Sequence, residues 1–157
     1  MSQNFQIIAI DKKPFNRLMS EKNKTLANLN IKWITADAKP GYPCRVSLVD
    51  AEVGERVLLL PFVHHDVDSP YKASGAIFIR ENAELATLRV NQIPDMLLHR
   101  SLSVRTYNSS GFMVGAEVIE GSDLRVTIEK QFEKVEAAYI HIHNAGPGCF
   151  NCAVYRA

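Results

Sequence analysis

No apolar run in this sequence is long enough to cross a membrane. The longest, Val57 to Val63, is broken by Pro61 and falls far short of the ~20 residues a spanning helix needs. There is no G-x-x-x-x-G-K-[ST], G-x-G-x-x-G, G-x-S-x-G or H-E-x-x-H, so neither a phosphate-cradling loop, a hydrolase nucleophile elbow nor a helical zinc protease site is written here. Gly111 and Gly115 are spaced as turn and bulge residues. Excess charge is also missing. Lys and Arg number 18 against 17 Asp and Glu, which leaves no footprint for nucleic acid or an acidic membrane. The single tryptophan, Trp33, has no basic-aromatic stripe around it, so single-stranded nucleic acid is not expected either. The N-terminus has no basic region ahead of its short apolar stretch, unlike a secretory signal. Three cysteines, an odd number, suit free thiols in a reducing cytoplasm.

What is present describes one domain over residues 1–157. Hydrophobic residues make up 46% and charged residues 22%, enough to bury a core. Strands are expected at Phe5 to Ile10, Ile31 to Ala36, Arg45 to Val49, Arg56 to Val63 and Gly75 to Arg80. Further strands are expected at Leu102 to Tyr107, Phe112 to Ile119, Ala137 to His143 and Cys149 to Arg156. Asp11 caps a helix carrying Phe15, Leu18 and Met19 on one face, interrupted before Leu26 and Leu29. A short helix fits Ile93 to His99. Ser122 is placed to cap a third, Asp123 to Val135, with Leu124, Ile128, Phe132 and Val135 on one face. Strands joined by short turns among a few helices make the fold class α+β: a mixed, largely antiparallel sheet with about three helices.

Four stretches, "PGYPCRVSLVDAEVGERVLLLPFVHH", "SPYKASGAIFIRE", "LSVRTYNSSGFMVGAEV" and "YIHIHNAGPGC…VYRA", resemble in their order an uncharacterised bacterial family, domain of unknown function 1203. The resemblance runs from about Phe15 to the end. It implies no activity, only positions that follow the family pattern: Cys44-Arg45, Pro70-Tyr71, Arg105, His141, His143, Asn144, Gly148-Cys149 and Arg156. Cys152 departs from that pattern, where the family has a small apolar residue.

The tail "HIHNAGPGCFNC" carries two histidines and a C-x-x-C pair, which together suggest four zinc ligands. Strand alternation argues otherwise. A hairpin closed by Asn144 to Gly148 pairs His143 with Cys149, His141 with Asn151, Ile142 with Phe150 and Ile140 with Cys152. Cys152 then enters the core, and His141, His143 and Cys149 share the other face. That face suits three readings. In the first it is a small polar or anionic ligand site, possible also as an enzyme, with His141 and His143 as acid/base and Cys149 as nucleophile. Arg45 or Arg105 would anchor an anion, with Tyr71, Asn144, His64 and His65 lining the site. In the second, the same histidines bind a divalent transition metal, with His64, His65, Asp66 and Asp68 as further ligands. The third is a non-enzymatic interaction module, a homodimer paired through an edge strand. The plain alternative is a half-exposed sheet face with Cys149 packed as a small hydrophobe. No cofactor, substrate or reaction is named by any motif.

Overall fold

The computed structural model describes residues 3–157. In chain order the strands and helices are β1 (Phe5–Ile8), α1 (Asn16–Met19), α2 (Asn23–Asn28), β2 (Lys32–Thr35), β3 (Arg56–His65) and β4 (Ala73–Arg80). They continue with α3 (Asp95–Leu98), β5 (Ser101–Tyr107), β6 (Met113–Glu120), α4 (Leu124–Phe132), β7 (Tyr139–Asn144) and β8 (Phe150–Arg156). The strands form two sheets, β1-β8-β7-β5-β6 and β2-β3-β4. Every strand pair in both is antiparallel. The domain is α+β and antiparallel as expected, with its strands divided between two sheets and with four α-helices among the described residues. No helix among the described residues is long and apolar enough to cross a membrane.

Alternation along β5, β7 and β8 sets one face of the larger sheet. Leu102, Val104, Ile140, Ile142, Cys152 and Val154 point to one side and pack against Leu124, Ile128 and Phe132 of α4. Each such side chain contributes about 1.5–3 kcal/mol when taken from water, and this layer anchors the hairpin. A second core lies on β3 and β4, where Leu58, Leu60, Ile77 and Ile79 meet Phe15, Leu26, Cys44 and Val46.

Three expectations need correction. Val135, assigned to the buried face of the last helix, is 98% exposed, because α4 stops at Phe132. The stop is reinforced by Arg156, which donates to the carbonyls of Phe132, Lys134 and Ala137, a cationic cap on a helix C-terminus. Ser122 does not cap the helix; it lies in a 3-10 turn, Gly121–Asp123, with no side-chain cap bond. That turn rests on the end of α3, so closely that a Cβ at Gly121 would sit 1.9 Å from the Leu97 carbonyl oxygen. Gly121→Ala is therefore expected to lower stability by about 1–3 kcal/mol, as overpacking does, read as a lower urea midpoint.

The third correction concerns Arg45 to Val49, which is a turn and not a strand. Its ends meet at the Pro43–Asp50 bridge. The Leu48 amide donates to the Cys44 carbonyl at 3.0 Å, and Leu48 takes a left-handed φ of 53°. The expected alternation is absent because Arg45, Val46 and Leu48 are all buried. Tertiary packing, not strand pairing, decides this segment, and it turns the Arg45 side chain inward.

Candidate functional site

The C-terminal hairpin forms with its faces divided as alternation requires, but in a different register. Tyr139 pairs with Tyr155, His141 with Ala153 and Ile142 with Cys152, two residues further along β8 than expected. A shift of two preserves the faces, so Cys152 is fully buried in the core, now opposite Ile142. Burial pushes its thiol up to about 12. Between Ile142 and His143 the register slips once more, and His143 pairs with Phe150. Asn151 is the extra residue of this bulge. A bulge re-aims the side chains beyond it, and here it carries Phe150 from the aliphatic face to the histidine face.

The same bulge separates Cys149 from the histidines. The Cys149 sulfur accepts a hydrogen bond from Arg45 Nη2 at 3.0 Å and one from Asn144 Nδ2 at 3.4 Å. Its hydrogen-bond partners are thus a guanidinium and an amide, and the expected Cys149–His143 pairing is replaced.

His64 and His65 join the hairpin from the end of β3. A second bulge makes this possible: the register of β3 against β4 shifts between Val63 and His65. Neighbouring residues on a regular strand point to opposite faces, but at this irregularity both rings reach the histidine face. The His64 ring stacks on Phe150 at 5.3 Å and meets His143 edge-on at 4.9 Å. The His65 ring lies 4.1 Å from Tyr107 and 5.1 Å from His141. Four histidines and the rings of Tyr107, Tyr139 and Phe150 thus form one cluster between the two sheets. Tyr139 shares the face of His141 and His143 by alternation along its strand, whereas Tyr107 is recognisable only once β5 and β7 are known to pair, and Phe150 only through the bulge.

Hydrogen bonds fix two of the tautomers. His143 Nδ1 donates to the Gly148 carbonyl at 2.9 Å, so its Nε2 carries a lone pair. His65 Nδ1 donates to the Tyr71 carbonyl at 2.7 Å and its Nε2 accepts from the Tyr139 hydroxyl at 2.6 Å. His65 is thereby satisfied. His64 Nδ1, His141 Nδ1 and His143 Nε2 are buried with no hydrogen-bond partner. Burial, the main cause, and then the cationic neighbours keep these rings neutral. The His64 value falls to about 4 through burial, Arg105 and His65. His141 falls to about 3 through burial and the other three histidines. His143 falls to about 4 through burial and Arg105, against the Gly148 bond that favours its charged form. At neutral pH these are imidazoles that offer lone pairs and N–H groups, not positive charge.

Arg105 supplies the positive charge. It pairs across the strands with His141, its Nε donates to Ser103 Oγ at 3.1 Å, and no carboxylate pairs with it among the described residues. Tyr71 stands at the edge, 39% exposed, its ring against Tyr107 and Phe112. Asn144 is buried and belongs to the Cys149 side. Arg45 is fully buried. Burial pulls its guanidinium below the usual value, and the Cys149 sulfur opposes that shift. Asp66 pairs with Lys72 on the surface, and Asp68 is exposed. Among the described residues no three His, Cys, Asp or Glu side chains are placed to hold one metal ion.

Fold and cluster together define an α+β protein of two antiparallel sheets that enclose a neutral histidine-aromatic group beside an unpaired arginine. The chain belongs to the family described as "Protein of unknown function (DUF1203)", which matches residues 41–156 and so takes in every residue of the cluster. No curated protein and no solved structure matches the chain.

Proposed function

We propose that the protein binds a small anionic ligand, a carboxylate or phosphate, at the rim of the histidine cluster, with Arg105 as the anchor. One observation carries this reading: a partly buried guanidinium stands among neutral polar groups, and among the described residues no acidic side chain pairs with it. Arginine presents paired N–H donors matched to carboxylate and phosphate oxygens. Ser103 orients the guanidinium through Nε, and His141 lies opposite Arg105 on the neighbouring strand; in this reading His141, His64 and Tyr71 contact the rest of the ligand. The neutral imidazoles add hydrogen-bonding capacity without competing for the anion. In this reading His143 and His65 are supports that hold the other rings in place.

Binding is tested by following amide and imidazole NMR signals while inorganic phosphate, and separately succinate, is added at millimolar concentration. Shifts are expected at Ser103, Arg105 and His141. Arg105→Ala is expected to weaken binding at least about ten-fold, equivalent to 1.4 kcal/mol, while Ser122→Ala changes nothing. Absence of any saturable shift with either anion, or equal affinity in Arg105→Ala, counts against the reading.

A further inference from the structure

Arg45 and Cys149 form a second centre, independent of Arg105. The Arg45 guanidinium is fully buried, and a guanidinium does not lose its proton in a protein. A buried charge without a counter-charge is costly, yet among the described residues no carboxylate pairs with it. Its Nε donates to the Phe150 carbonyl at 2.7 Å, its Nη1 to the Pro43 carbonyl, and its Nη2 to Cys149 Sγ at 3.0 Å. Of these three acceptors only the sulfur can carry a negative charge.

A second donor converges on the same sulfur. Asn144 Nδ2 donates to it at 3.4 Å, and Asn151 Nδ2 donates to Asn144 Oδ1 at 2.8 Å, which fixes the amide with its NH2 toward Cys149. Two donors aimed at one sulfur suit an anion better than a neutral thiol, which is only a weak acceptor. The sulfur is also reachable. A cavity of about 380 Å³ is bounded by Arg45, Cys149, Phe150, His64 and Ser74, and Cys149 is partly exposed whereas Cys44 and Cys152 are buried. Arg45 bounds that cavity but has no accessible surface of its own, so a molecule held there feels the guanidinium through its field rather than through a hydrogen bond.

We propose that Cys149 is a thiolate, ion-paired to Arg45, that reacts with small hydroperoxides entering this cavity. The sulfur attacks the distal oxygen of the peroxide. An S–O bond forms as the O–O bond breaks, and the sulfur is oxidised by two electrons to the sulfenic acid, which keeps the proton of the distal oxygen; the other oxygen departs as hydroxide or alkoxide and takes that proton to become water or alcohol, leaving the sulfenate. The positive field of the buried Arg45 guanidinium stabilises the charge that develops on the departing oxygen, as preorganised charge does in a water-poor site. Cys44 and Cys152, both enclosed in the core, leave the sulfenate without a thiol of this chain to condense with, so it persists long enough to trap.

The test uses the full reduced chain at pH 7 with hydrogen peroxide and a sulfenate-trapping dione, read by peptide mass spectrometry. Label is expected on Cys149 alone, at a rate at least about ten-fold above that of glutathione under the same conditions. Asn144→Ala, whose folding is checked by circular dichroism, is expected to slow trapping several-fold, and Cys149→Ser to abolish it. A wild-type rate no greater than that of glutathione overturns the proposal without recourse to any variant. Fast alkylation of Cys149 by iodoacetamide with a glutathione-like peroxide rate also overturns it, because the thiolate would then lack the assistance assigned to Arg45.

Discussion

Acidification from pH 7 to 4.5 is expected to unfold this protein, or to bring it close to unfolding at room temperature. His141 and His143 are buried and are held neutral to about pH 3 and 4 in the fold, while in the unfolded chain they titrate near 6.5. Below pH 6.5 the unfolded state therefore binds protons that the folded state refuses, and stability rises with pH across the window from about 4 to 6.5. Each such proton is worth about 1.4 kcal/mol per pH unit, so two buried rings remove roughly 5 kcal/mol by pH 4.5. That is the size of the whole stability of many domains. His64, partly exposed, adds less. The carboxylates act lower in pH. Glu55, held below its ordinary value by Arg80, and Glu117, held down by Lys130 and Gln131, lose their stabilising charge only as pH falls below about 4.3. The loss between pH 6.5 and 4.5 therefore belongs to the histidines. Thermal melts across this range are expected to show a steep fall in Tm. His141→Phe, which keeps a ring among the aromatics, is expected to make the fall shallower by about one proton's worth. A Tm that stays level from pH 7 to 4.5, or an unchanged slope in the variant, refutes the assignment.

The parts of this site that were legible in the sequence were those governed by strand alternation. The separation of Cys152 from His141 and His143 follows from period-two geometry and the demand that the aliphatic face be buried, and it survives a register shift of two residues. Bulges are not legible in the same way. One extra residue at Asn151 and another irregularity at His64 change which way Phe150, Cys149 and His64 point, yet each depends on packing between two sheets far apart in sequence. Arg45 was obscured for a related reason. "RVSLV" has the composition of a strand, and only the contact with the hairpin, more than a hundred residues away, shows that the chain turns there to deliver a buried cation. Of the expected ligand-site residues, His64, His65, Tyr71, Arg105, His141 and His143 come together around one cluster. Arg45, Asn144 and Cys149 form a second group at its flank. The single site expected from the sequence is thus two neighbouring centres, joined through His64 and Phe150, whose rings stack.

Arg45→Ala is expected to cost about 3–5 kcal/mol, enough to leave much of the protein unfolded or insoluble. The side chain joins the turn after β2 to the C-terminal hairpin. Its removal leaves the carbonyls of Pro43 and Phe150 without donors, at about 1–3 kcal/mol for each buried group left unpaired, and opens a cavity the size of a large side chain. If Cys149 carries the counter-charge, removal also strands that charge, the outcome that makes breaking a buried pair expensive. Arg45→Lys separates these contributions. Lysine keeps the charge but not the planar fork, and cannot meet Pro43, Phe150 and Cys149 in the same plane. It is expected to lose about half as much as alanine does. Cys149→Ser leaves the two carbonyl bonds intact and supplies a small acceptor beside Asn144 but removes the counter-charge, so its cost is expected to be about 1.5–3 kcal/mol, below that of Arg45→Ala. Urea titrations of the three variants give the order directly. Arg45→Ala within about 1 kcal/mol of the parent would mean that the buried guanidinium is not the bolt between turn and hairpin. Cys149→Ser as costly as Arg45→Ala would place the stability of this junction in the sulfur rather than in the two carbonyl bonds.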